Sequence, residues 1–213
     1  MRIPYAPKEP QKEADQPIYD RILARRNPRP LIPLDLALLH NPAIADGYSS
    51  LMGAIRTQSS FPLALAELAI CYIAVLNGAV YEWTAHAPIA LKAGARREVL
   101  ASVLEGSWRW KRSEAEPGNK GGEGIGKRGS GAGRGAMLVN ADEEMVLEFT
   151  EQSTENVKVE EGLMERLKQR WTDQQVMELV ITVGGYNMVS RFLVALDVTE
   201  SNGGEMEMPA VET

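Results

Sequence analysis

Glu82 and His86 stand four residues apart in Val80-Tyr81-Glu82-Trp83-Thr84-Ala85-His86-Ala87-Pro88. On a helix that spacing puts both side chains on one face, within hydrogen-bonding reach of each other. A carboxylate beside an imidazole favours the imidazolium and raises its pKa, which gives a group able to hold or release a proton near neutral pH. The same spacing also describes an ordinary ion pair on a helix surface, and on spacing alone both readings stand.

Glu67 lies in the middle of an almost wholly apolar stretch, where an unpaired carboxylate would be costly. It therefore needs a partner. That partner is either His86, in a proton relay, or a basic residue such as Arg56 or Arg191, in a buried structural ion pair. Arg56 precedes this stretch and is a candidate for holding a substrate carboxylate, because a guanidinium fork matches a carboxylate bidentately. An ordinary salt bridge is the alternative. Cys71 follows Glu67 by four residues, and a neighbouring carboxylate would raise its pKa, so it reads as a buried apolar residue and not as a reactive thiolate. Asn187 and Arg191 read as packing and ion-pair residues, His40 as a loop histidine, and Trp83, rotated about 100° from Glu82, as core or interface.

Helices must position these groups. A Pro-rich arm covers 1–33 and contains one helical pattern at 17–26, broken by Asn27-Pro28-Arg29-Pro30. The arm is expected to lie over the main body or a neighbouring subunit. Asn41 as N-cap and Pro42 as first residue start a helix running to about Thr57, with Tyr48, Leu51, Met52 and Ile55 on its apolar face. Ser60 caps the next, 61–77, which is apolar nearly all round and so central. Asn77-Gly78 ends it. The helix of Glu82 and His86 follows at 80–92 and stops at Ala93-Gly94, with Gly in the left-handed closing position.

A short helix at 96–104 completes the first part of the domain, 34–105. Residues 106–137 are Gly-rich, basic and poor in aliphatic side chains, and are expected to be disordered. The patterns Gly124-x-Gly126-x-x-Gly129 and Gly121 to Lys127 there resemble nucleotide-binding loops, but they neither follow a strand nor open a helix. The second part, 138–199, holds helices at 141–151 and 160–170. A Thr172/Gln175 capping box then introduces two packed helices on either side of Gly184-Gly185. Residues 200–213 read as a flexible acidic tail. The expectation is an all-α fold of seven or eight helices.

The chain has 213 residues and a net charge of −6, which argues against general nucleic-acid binding. One cysteine and two histidines leave little for a metal site and exclude an internal disulfide, so no metal and no cofactor are expected. No N-terminal apolar leader is visible, and no window approaches the roughly 20 apolar residues of a membrane span, which points to a cytoplasmic protein.

The segment from Glu67 to Gly94 resembles the signature of the carboxymuconolactone decarboxylase family. A Glu opens the hairpin, and a motif E-x-x-x-H-x-x-x-A-x-x-x-G closes it, matched by Glu82, His86, Ala90 and Gly94. The stretches 26–56 and 185–192 are similar to the flanks of fungal members. The resemblance implies the alkyl-hydroperoxidase-D-like helical bundle, assembly into trimers or hexamers, and a cofactor-independent decarboxylase acting on a small carboxylated lactone or aromatic-derived acid. In this reading His86 donates the proton, Glu82 tunes it, Glu67 completes the relay and Arg56 anchors the acidic substrate. The alternatives are a non-catalytic oligomerisation or binding module of the same fold, and a peroxide-handling enzyme. Against the last, Ala79 and Glu82 occupy the two positions that are Cys in the peroxidase branch.

Overall fold

Local signals set most of the helix boundaries. In the computed structural model, which describes residues 1–108 and 139–210, Asn41 Oδ1 accepts the Ile44 amide and Pro42 leads the helix that carries Arg56. The described residues form nine α-helices and no strand: α1 Gln16–Arg26, α2 Pro33–Leu38, α3 Pro42–Thr57, α4 Leu63–Asn77, α5 Val80–Lys92, α6 Arg97–Leu104, α7 Ala141–Glu151, α8 Glu161–Arg170 and α9 Asp173–Leu196. The fold is all-α. A π-helical turn at Gln152–Asn156 separates α7 from α8.

Helix α4 is the axis of the molecule. It packs most extensively on α5, and then on α9 and α7, which is why it is apolar all round. Its Ile70 and Ile73 belong to a core with Met52, Phe149, Leu179 and Tyr186, while its Leu68 and Tyr72 belong to a second core with Trp83, Leu100 and Leu147. Full burial of each such side chain contributes roughly 1.5–3 kcal/mol. The chain reverses from α4 into α5 through Gly78, at φ 64°, and α5 ends at Gly94, at φ 98°; both are left-handed positions that glycine adopts without a Cβ penalty.

Several expectations are corrected. Gly184-Gly185 does not divide two helices, because α9 runs unbroken through it. A Cβ on Gly185 would stand 3.3 Å from Ile55 Cδ1 and 3.5 Å from Met52 Sδ, so this glycine serves the close approach of α3 and not a chain break. Ser60 does not cap α4 with its own hydroxyl; instead Ser60 N–H and Phe61 N–H both donate to Glu178 of α9. Leu51 is exposed and does not share the buried face of Met52.

The arm and the tail are parts of the fold. Tyr19 and Ile22 of α1 are buried with Leu39 and Ala45 in a third apolar cluster, and Arg26 binds both oxygens of Asp35 in α2. Residues of the expected tail dock on the second core: Met206 and Met208 pack there, and Trp83 Nε1 donates to the Glu207 carbonyl at 2.8 Å. Trp108, placed at the edge of the Gly-rich segment, is buried edge-on against Tyr72. The rest of that segment, with its glycine patterns, lies outside the described residues.

Helix α9 also corrects the expectation about apolar length. Its 24 residues include a window of mean hydropathy 1.5, long and apolar enough by composition to cross a membrane. The reason is visible in its packing. One side is buried against α4 and α3, and the outer side carries Met177, Val180, Ile181 and Met188 where polar residues would be usual.

Candidate active site

The α4–α5 hairpin and α3 bring Glu67, His86 and Arg56 together. His86 Nδ1 lies 2.7 Å from Glu67 Oε2. A carboxylate oxygen only accepts, so Nδ1 carries the proton and Nε2 is the ring nitrogen with the lone pair. Arg56 Nη1 stands 3.3 Å from Nδ1 and 3.5 Å from Nε2, and Arg56 Nη2 lies 3.5 Å from Glu67 Oε1. Because a guanidinium only donates, the ring nitrogen open to it is Nε2. Arg56 Nη1 also donates to the Tyr186 hydroxyl at 2.7 Å, and the Tyr186 ring meets His86 edge to face at 4.9 Å. Of the partners considered for Glu67, His86 holds one oxygen and Arg56 faces the other, while Arg191 donates to Asn187 instead.

The Glu82–His86 contact expected from their spacing is absent. Glu82 is 1 % exposed, and neither of its carboxyl oxygens has a hydrogen-bond partner. Sharing a helix face allowed the contact, but Glu67 reaches across from α4 and takes the imidazole proton that Glu82 would need.

The electrostatics follow. Burial, with the charge of Glu67 nearby, pushes the Glu82 carboxyl well above its ordinary 4.5, so it is held as a neutral acid. Burial pulls the His86 imidazole below 6.5; Glu67 opposes this, and Arg56 adds to it. The direction expected for His86 is reversed, because burial outweighs its carboxylate neighbour, and Glu82 is shifted toward its neutral form.

Both open into one cavity of about 120 Å³, lined also by Arg25, Tyr48, Arg56 and Tyr186. Its volume is comparable with the roughly 150 Å³ of apolar cavities that take up one benzene ring. Glu67 is not on the wall but behind His86, where it can orient the ring without meeting a ligand.

Sequence reasoning missed Tyr186, Tyr48 and Arg25. Tyr186 follows the glycine pair that lets α9 approach α3, which is the one trace it leaves in the sequence. Cys71, 0 % exposed, has its thiol pushed well up by burial and by the charge of Glu67, which disfavours the thiolate that redox chemistry needs. Among the described residues, no three His, Cys, Asp or Glu side chains are grouped to hold a metal ion.

Comparison with curated proteins returns no match. A family model does match, over residues 42–107, from the N-terminus of α3 past the end of α6, and so spans Arg56, Glu67, Glu82 and His86. By that match, residues 42–107, which carry the hairpin motif, are similar to the carboxymuconolactone decarboxylase family.

Proposed function

We propose that the protein is a cofactor-independent decarboxylase for a small carboxylated lactone or aromatic-derived acid, with Glu82 as proton donor and the Glu67–His86 pair as base. The observation that carries this reading is a buried, unpartnered carboxyl and an imidazole oriented by Glu67, both opening into one small cavity beside a guanidinium. Decarboxylation breaks the bond between the carboxylate carbon and the ring, releases carbon dioxide and leaves the electron pair in an enolate. The Glu82 O–H supplies the proton that quenches that pair at carbon. The Glu82 carboxylate left behind is disfavoured by burial and by Glu67, and it takes back one proton from solvent, so one proton is consumed per turnover. Arg56 and the Tyr186 hydroxyl are placed to stabilise the enolate oxygen, a role for which preorganised donors in a water-poor site are effective. His86 Nε2, held in register by Glu67, can move a proton between substrate and solvent.

The reading is tested by incubating purified protein with a panel of small lactone acids and keto acids and measuring carbon dioxide release. Turnover of at least one acid that is lost in both His86→Gln and Glu82→Gln is the expected result. Release that persists in both folded variants would discard the mechanism.

The same reading includes a cytoplasmic protein that assembles with copies of itself as a trimer or hexamer. Support comes from the outer face of α9, where Met177, Val180, Ile181 and Met188 form one exposed apolar stripe. Val180→Asp with Met188→Asp should lower the mass measured by light scattering to that of one chain. An unchanged mass would remove α9 from the interface.

A further inference from the structure

Arg25 belongs to α1, outside the segment that the family model matches. Its stem crosses α3 at Gly53, where an added Cβ would stand 3.3 Å from Arg25 Cδ. Its head reaches the wall of the cavity that holds Glu82, His86 and Arg56. There Nε and Nη2 are closed off from solvent and make no hydrogen bond. Asp35 does not satisfy them. Its Oδ1 is 4.0 Å from Arg25 Nη2, and both of its oxygens are already engaged by Arg26, at 2.7 and 2.9 Å, and by the Ile32 amide at 3.0 Å.

A guanidinium stays charged in any protein environment, so these are two buried donors without a hydrogen-bond acceptor. Burial and the neighbouring charges of Arg26 and Arg56 act against it, and the Asp35 carboxylate 4.0 Å away offsets them only in part. Glu82, shifted by burial toward its neutral form, compensates little. Nothing in the fold of α1 requires a cation here, because Tyr19 and Ile22 already anchor the helix. The missing element is an anion that arrives in the cavity.

We propose that Arg25 is a substrate-binding residue, supplied by the N-terminal arm, that receives the carboxylate of a small ring acid. This rests on reading the cavity as a substrate site. Arg56, tied to Glu67 and Tyr186, faces the reacting end, and Arg25 sets which acids enter. Two N–H groups of one planar fork match a carboxylate in bidentate geometry, whereas a neutral amide of the same shape offers neither the charge nor the second acceptor.

The test uses the full chain and two probes of one shape, furan-2-carboxylate and its neutral amide, in titration calorimetry. Wild type should bind the acid at least tenfold more tightly than the amide. Arg25→Met should lose at least tenfold for the acid with amide binding unchanged, and Arg25→Lys should fall between, keeping the charge but not the fork. If Arg25→Met does not fold, Arg25→Lys and the Arg25 Nε–H resonance of wild type carry the test: that resonance should shift with the acid and not with the amide. Equal binding of acid and amide by wild type, or undiminished acid binding by a folded Arg25 variant, overturns the proposal. The outcome is separable from the decarboxylase reading. Arg25-dependent binding without carbon dioxide release retains the anchor and discards the reaction; release with an unchanged KM in Arg25→Met does the reverse.

Discussion

Two buried glutamates, one at each end of the contact between α9 and the hairpin, have opposite fates. Glu178 is 8 % exposed and is surrounded by donors: the Ser59 hydroxyl at 3.1 Å, the Ser60 and Phe61 amides and the Ser60 hydroxyl at 2.9 Å, and Gln174 at 2.9 Å. These hydrogen bonds hold its pKa below 4.5 although burial acts the other way. Glu82, at 1 % exposed, has none, and its pKa goes up. The difference teaches that burial of a carboxyl alone says little. What separates a structural acid, here one that pins the Ser59–Phe61 turn before α4 to α9, from a reactive one is whether the fold has met its hydrogen bonds.

The comparison breaks most sharply in activity. His86→Gln and Glu82→Gln should each lower turnover by roughly 10²- to 10⁴-fold, the range of general acid–base catalysis, while Glu178→Ala should leave turnover per folded molecule nearly unchanged. The pH profile of wild type should be bell-shaped. Activity falls on the acid side, below 6.5, as His86 takes up a proton, and on the alkaline side, well above 4.5, as Glu82 loses its own. A flat profile would remove both roles.

Stability is the next lever, and the two glutamates have opposite signs. The Glu82 pKa is raised in the folded state, so its contribution is fully present below 4.5 and is lost as pH rises through the folded value. Glu82→Gln should therefore gain on wild type by up to about 1.4 kcal/mol per pH unit above 4.5, measured by urea denaturation, until the folded-state pKa is reached. Glu178 has a lowered pKa and behaves conversely, contributing above 4.5 and fading as pH falls. Glu178→Ala leaves the Ser60 and Phe61 amides without their acceptor and should cost roughly 1–3 kcal/mol at neutral pH, and less in acid. Parallel pH dependences in the two variants would contradict the contrast.

Much of this was legible in the sequence wherever the determinant is local. Asn41-Pro42, the Thr172/Gln175 box and Gly94 mark helix ends because capping is settled within four residues. The membership of Glu67, Glu82, His86 and Arg56 in one neighbourhood followed from the motif. Their pairing did not. Whether His86 meets Glu82 in its own helix or Glu67 in the next depends on the angle between α4 and α5, which no spacing encodes. Arg25 and Tyr186 escaped notice for the same reason, since each reaches the cavity from a helix distant in sequence. Gly184-Gly185 misled because low helix propensity argued for a break, whereas the contact with Met52 and Ile55 required the absence of a side chain.

The smallest expected effect concerns Cys71, which lies in α4 one helical turn from Glu67. Its thiol is buried, burial and the charge of Glu67 push its pKa well up and disfavour the thiolate, and no disulfide partner exists in the chain. Cys71→Ser should therefore leave turnover within about twofold of wild type, since a general acid or base removed from the reaction would cost at least roughly 10²-fold. The substitution does place a hydroxyl in an apolar core beside Tyr72 and Ala74, where an unmet hydrogen bond costs roughly 1–3 kcal/mol, and a lowered melting temperature is expected. Cys71→Ala separates the two effects, because it keeps the site apolar and loses only the sulfur. If turnover survives in both variants while stability falls in each, Cys71 is packing. A loss of turnover in folded Cys71→Ala would instead move the chemistry from the Glu82 acid to the thiol, and the contrast between the two glutamates would lose its functional meaning.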